Sequence, residues 1–283
     1  MTGWYPLNVR ESGNHESYDA LSEGVPEWVR ADVADLITEG LADGGEFRVD
    51  IGRVRSCGAA LRKTLPTDDS KQKYRIYMRQ WAKDDALLVL SILDWIIKVE
   101  KDPWYAKRAE DILGAGNSAW TVGEWGDGHA GLVRRVDSTT TAASAQAISA
   151  KTSASHHLAE AWQAAYGIDG NPSSAYSHAI KAVEAAAIPV VSPKQGTATL
   201  GTVIGQVRAD GDWVIPLTRE KDPGYVAGML LEMLESLWVG QSDRHGSPLP
   251  IVPITSEAAQ VAALMATTLV QWFQSGAVQR GTI

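Results

Sequence analysis

A mainly α protein is predicted by three features of this 283-residue sequence. Apolar residues recur at three- and four-residue intervals through most of it, strand-like character is confined to short stretches, and Pro and Gly cut the rest into helix-length pieces. At about 150 residues per domain the length suggests two domains or one large one. The boundary is drawn near residue 138. Residues 1–137 then form a mostly helical domain with a hairpin near 119–136, and residues 138–283 form a five-helix bundle without sheet.

The elements follow in order. Pro26 to Leu41 reads as an amphipathic helix with Trp28, Val29, Val33, Leu36 and Ile37 apolar and Gly40 as a stop. Residues 42–72 read as irregular, with a short strand near Phe47 to Ile51. Tyr74, Met78, Trp81, Asp85, Leu88, Ile92, Trp95 and Val99 follow alternating four- and three-residue steps, which predicts one helix of about seven turns. Trp104 to Leu113 is a further helix, closed by Gly114-Ala115-Gly116. Ala119 to Val122 and Leu132 to Val136 flank Gly-Asp-Gly and predict a hairpin. Capping residues at 137–141 open an Ala-rich helix to about Tyr166. Asn171-Pro172 opens the next, which Pro189 and Pro193 end. Thr199 to Arg208, Tyr225 to Val239 and a last helix capped by Ser256 and running to Gln274 complete the bundle. Trp162, Ile180, Val183, Leu200, Leu230, Leu234, Leu264 and Leu269 are its expected core.

Composition excludes several classes. With 45% hydrophobic and 21% charged residues the chain is globular rather than disordered. The single cysteine, Cys57, leaves no internal disulfide framework and no cysteine-based zinc site. The longest apolar run, Ala86 to Ile97, is interrupted by Ser91 and Asp94 and is too short to span a bilayer. The first residues lack a basic region followed by an apolar stretch, so the expectation is a cytoplasmic protein with no membrane partner.

Charge is unevenly spread. The net charge is −8, so the surface as a whole does not attract nucleic acid. Residues 48–83, however, carry 10 basic and 3 acidic side chains, while residues 1–47 carry 2 basic and 10 acidic ones. The basic segment could hold phosphates, with Arg75, Arg79 and Lys83 as candidate RNA-binding residues and Tyr74, Tyr77 and Trp81 among them. The plainer reading pairs it with the acidic segment before it.

Four strings carry a resemblance: Leu158-Ala159-Glu160-Ala161-Trp162, the run from Ser174 to Glu184, Ala198-Thr199-Leu200-Gly201, and Asp243-Arg244-His245-Gly246-Ser247. In order and spacing they resemble the C-terminal domain of abortive-infection proteins, a branch of the HEPN-like helical bundles. The resemblance covers about half of the chain. It implies a HEPN-like bundle at 138–283, a homodimer, and action on or binding of RNA in antiviral defence, with no cofactor or metal. Many such domains are metal-independent ribonucleases whose signature is an Arg, four to six residues and a His. A neutral His takes the 2′-hydroxyl proton and Arg holds the phosphate. Here the resemblance points to Asp243, Arg244 and His245 as the catalytic loop, with Lys181 and Glu184 supporting it. The spacing departs from the signature: Gly240, Val239 and Trp238 stand where the Arg belongs, and Arg244 directly precedes the His. Arg10 and His15 reproduce the spacing elsewhere, but chance alone supplies about one such match.

Other candidates have plainer readings. His156 and Glu160, one helical turn apart, lack a third ligand for zinc. His178, Lys181 and Glu184 form a helical row. His129 follows the hairpin turn. No phosphate loop or dinucleotide fingerprint appears, and Gly196 to Gly201 lack the Lys-Ser/Thr ending of a phosphate loop. Three classes therefore stay open: an RNA-directed defence protein, a non-catalytic module for a protein partner, and a phage or prophage accessory or structural protein.

Overall fold

The computed structural model describes residues 6–13, 19–124, 130–216, 223–241 and 252–281. The fold is mainly α, with 12 α-helices among the described residues and two small antiparallel ladders. The chain divides into two compact units, one running to Glu124 and taking in a second segment that ends at Arg135, the other from Val136 onward.

The N-terminal unit begins with α1 (Leu7–Ser12). A single 3-10 turn, Glu27–Val29, then leads into α2 (Arg30–Gly40). Trp28, expected on the apolar face, is exposed, because the 3-10 turn swings it outward, and its Nε1–H donates to the Ala115 carbonyl at 3.4 Å. Gly40 is a close-approach site: a Cβ there would come within 2.5 Å of Ile96.

The region read as irregular contains α3 (Ile51–Leu61). Asp50 caps it, accepting from the backbone N–H of Gly52 and Arg53, and the expected strand is reduced to isolated bridges of Ala42 with Val49 and Arg48 with Ser70. The predicted seven-turn helix is two, α4 (Lys71–Asp84) and α5 (Ala86–Glu100). Asp85, the one polar residue on the predicted stripe, is the break: it leaves helical geometry and its side chain caps α5 through the N–H of Leu88. The break changes the helical phase. Tyr74 and Met78 are buried as expected, but beyond Asp85 burial follows Val89, Ile92, Leu93, Ile96 and Ile97, and Val99 is exposed.

α6 (Pro103–Ala115) and the hairpin of β1 (Trp120–Glu124) and β2 (Ala130–Arg134) complete this unit; the Gly-Asp-Gly turn and His129 lie outside the described residues. Asp94, only 5% exposed on α5, accepts from the N–H of Leu132 at 2.6 Å and pairs with Lys98 at 2.8 Å, and so anchors β2.

The second unit has six helices among its described residues rather than five. The long Ala-rich helix is broken into α7 (Ser138–Ser149) and α8 (Ser153–Tyr166), where Lys151 takes a left-handed φ of 52° and Thr152 caps the second piece. α9 (Pro172–Val191) runs through Pro189, so this proline does not end it. α10 (Leu200–Asp210), α11 (Pro223–Val239) and α12 (Ser256–Gln274) follow. The cap of α12 is Thr255, one residue before the Ser256 expected. α9 is the central helix, packed on α8, α10 and α12.

Ile180, Val183, Leu200, Leu230, Leu234 and Leu269 are in the core, and Trp162 packs half-buried against it with its Nε1–H donating to Thr267 at 2.9 Å. Two expectations fail. Leu264 is 37% exposed, because it shares the outer face of α12 with Val261. The unit also has a sheet, in which β3 (Trp213–Val214) pairs with β4 (Gln279–Arg280). Arg280 holds the tail there: it lies over the Trp213 ring at 5.3 Å and pairs with Asp210 at 2.5 Å and with Asp212 at 2.9 Å.

Candidate functional site

The sequence-predicted residues fall in three places. Asp243, Arg244 and His245 lie outside the described residues, as does His15. Arg75, Arg79 and Lys83 lie on α4, where acidic side chains of α2 meet the first two. Arg75 pairs with Asp35 at 2.9 Å and Glu39 at 3.3 Å, and Arg79 reaches Asp35 at 3.9 Å. Lys83 is exposed in the last turn of α4. Lys181 and Glu184 lie on α9, where they line a cavity of about 710 Å³ in the second unit.

This cavity is built from three elements. α9 and its cap supply Asn171, Ser174, Ser177, His178, Lys181 and Glu184, the cap of α10 supplies Thr199, and α11 with the residue pair after it supplies Trp238 and Gln241. The row at 178, 181 and 184 faces one way because residues three apart on a helix share a face. Asn171 caps α9 by accepting from the N–H of Ser174 at 3.0 Å.

Glu184 has a definite role. Its carboxylate accepts from the backbone N–H of Leu200 at 2.7 Å. That N–H opens α10, so a negative charge sits on the positive end of that helix and satisfies one of its orphan donors. Thr199 and Thr202 satisfy others through a reciprocal capping box. Glu184 thus ties α9 to the Thr-Leu-Gly turn. Gly201 is needed beside it, since a Cβ would approach the Trp238 ring to 2.9 Å.

His178 has a neighbour that sequence reasoning missed. Its ring lies 5.6 Å from that of His157 on α8, and His157 lies 5.7 Å from His156. Nδ1 of both His157 and His178 is buried without a hydrogen-bond partner in the described structure. Burial is the main cause that pushes both imidazoles below the ordinary histidine value, and Lys181 adds to it in each case. Both are therefore neutral at pH 7. Among the described residues no group of three His, Cys, Asp or Glu side chains converges on a metal position. The His178 row was legible as a helix face; its contact with His157 depends on how α8 packs on α9, which spacing alone does not encode.

The arrangement places a neutral imidazole, an exposed ammonium and several hydroxyl and amide groups in one polar cavity. Such a set can accept a proton and hold an anion.

Against known proteins, the chain matches no family model, no curated protein and no solved structure.

Proposed function

We propose that the second unit binds and acts on RNA as a HEPN-like domain of the abortive-infection type, in antiviral defence. The observation that carries this reading is the shared cavity of His178 and Lys181. The four strings that resemble the family add to it, since two of them contribute residues of α9 and of the start of α10 to that cavity and a third lies on α8, which packs on α9. Lys181 attracts the phosphodiester, hydroxyls and the Gln241 amide bind sugar and phosphate oxygens, and the edge of Trp238 borders the base.

The chemistry needs no metal. A neutral imidazole removes the 2′-hydroxyl proton, the oxygen attacks phosphorus, and the P–O5′ bond breaks as a proton is returned to the leaving oxygen. The resemblance assigns the base to His245 and the phosphate grip to Arg244, with Asp243 orienting the imidazole. His178 is the described residue of the same chemistry. The domain is proposed to work as a homodimer, in the cytoplasm.

The test is cleavage and binding of a single-stranded RNA by the full chain in EDTA, comparing wild type with His178→Gln, Lys181→Gln, Arg244→Ala and His245→Ala. Loss of the general base lowers the rate by roughly 10²–10⁴. Lys181→Gln weakens binding. If RNA is bound but left intact by every form, the domain is a non-catalytic RNA-binding module. If RNA is neither bound nor cut, the reading fails and the protein-interaction alternative replaces it. The exposed Val261 and Leu264 on α12 favour that alternative as the second reading.

A further inference from the structure

Ion pairing within the N-terminal unit separates the cations of the basic segment into two groups. Six of the ten are ion-paired, sharing five carboxylates. Arg48 pairs with Asp69, Arg53 with Glu100, Lys71 with Glu39, Lys73 with Asp68, and Arg75 and Arg79 with acids of α2. Arg55, Arg62, Lys63 and Lys83 have no ion pair among the described residues. Three of these four, Arg55, Arg62 and Lys63, line a single cavity of about 350 Å³ around the C-terminal turn of α3.

The cavity has an apolar floor and a polar rim. Val54 and Leu65 are buried beneath it, and Thr64 and Thr67 join the three exposed cations at its edge. The chain after α3 is folded tightly back. Arg62 takes a left-handed φ of 52°, the Lys63 N–H donates to the Gly58 carbonyl at 2.9 Å, and a Cβ on Gly58 would approach the Lys63 oxygen to 2.7 Å. This turn sets Arg62 and Lys63 beside Arg55, seven residues earlier on the helix. No carboxylate lines the cavity.

A structural account explains only part of this. Cations favour a helix C-terminus, which accounts for Arg62 and Lys63. Arg55 lies in the first half of α3, beyond the reach of that effect. Three like charges around one cavity repel one another, and an anion placed among them relieves the repulsion.

We infer that Arg55, Arg62 and Lys63 form a phosphate-binding surface of the N-terminal unit that holds the backbone of a single-stranded nucleic acid. No aromatic ring lines the cavity, so it reads phosphates and not bases, and its binding is independent of sequence. The surface stands whether or not the cavity of the second unit acts on RNA. It also replaces Arg75 and Arg79, whose guanidinium groups are held in ion pairs with Asp35 and Glu39, as the phosphate contact of the basic segment.

The test is fluorescence anisotropy of the full chain with labelled 12-mers of uridine and of cytidine between 50 and 200 mM salt. Wild type, the triple variant Arg55→Gln/Arg62→Gln/Lys63→Gln, the single variant Arg55→Gln and the charge control Lys107→Gln are compared, each checked for folding by circular dichroism. Wild type and the control should bind both oligomers equally well. The triple variant should bind at least about tenfold more weakly, and its log–log salt slope should be shallower by about 2, as three phosphate contacts on a single strand require. Arg55→Gln should fall between them, and it carries the test if the triple variant fails to fold. Wild-type binding kept in Arg55→Gln and in a folded triple variant overturns the inference, and so does absence of RNA binding in wild type. Triple-sensitive binding of polyglutamate or of phosphatidylserine vesicles at equal or higher affinity overturns the assignment to nucleic acid. Lys181→Gln separates the two sites: it leaves the N-terminal contribution to the salt slope in place.

Discussion

Glu184 shows what one side chain settles in this fold. The sequence places it on a helical row with His178 and Lys181, and the resemblance casts it as a support for the loop at 243–245. The described contact is with the first N–H of α10, and the loop itself lies outside the described residues. Replacing Glu184 by Ala leaves that donor unsatisfied in a half-buried position, at a cost of about 1–3 kcal/mol. Glu184→Gln keeps an acceptor oxygen and should cost less. Urea denaturation midpoints of the two variants check the order, and equal midpoints for Ala and wild type would count against the contact. Asp85 teaches the same lesson. Its oddity on an apolar stripe was visible in the sequence, but only the backbone reveals that it is a cap and not a buried polar residue. Helix periodicity counts positions, and it cannot register a break that preserves the spacing while rotating the phase.

At the level of elements, the strongly periodic helices of the second unit were legible, because burial follows the three- and four-residue spacing on α9, α10 and α11. Leu234 is fully buried on α11, and Leu234→Ala should destabilise the protein by roughly 2–5 kcal/mol in chemical denaturation. The helices that were missed or misjoined have local causes. α3 carries two Gly and two Arg in 11 residues, and its N-terminus is set by the Asp50 cap. The joint of α7 and α8 depends on Lys151 adopting a positive φ, for which the sequence carries no glycine signal.

The packing of α8 on α9 also makes stability depend on pH. His157 and His178 are held below the ordinary value of 6.5, chiefly by burial, with Lys181 and His156 acting in the same direction and Glu160 opposing. The unfolded chain therefore binds protons that the folded one refuses. The stabilisation is present above pH 6.5 and is lost as pH falls from there through the lowered values. Thermal melts should give a higher Tm at pH 7.5 than at pH 5.0 in wild type, and a smaller difference in His157→Gln/His178→Gln. Asp68, Asp137 and Glu257 are held below their ordinary carboxylate values by hydrogen bonds, and so stay ionised across this pH interval. An unchanged difference in the double variant would remove these imidazoles from the account.

For the whole molecule, the composition excluded more than it assigned. It excluded a disulfide scaffold and a generally basic surface, and among the described residues no helix is long and apolar enough to cross a membrane. The division into a unit with a hairpin and a helical unit with a polar cavity gives the proposed function its place. A proposed homodimer would use one patch twice, so that a few apolar residues suffice. Light scattering at micromolar concentration should return twice the chain mass of 30.5 kDa, and a mass of 30.5 kDa would contradict the dimer.

The central claim, that the second unit contacts RNA through the cavity of His178 and Lys181, is tested most directly by photo-cross-linking. The full chain is irradiated with a single-stranded RNA containing 4-thiouridine, and the adducts are mapped by mass spectrometry. The account predicts adducts on peptides spanning 171–184 and 238–247, sharply reduced by Lys181→Gln. Adducts confined to the N-terminal unit, or none at all, would contradict it.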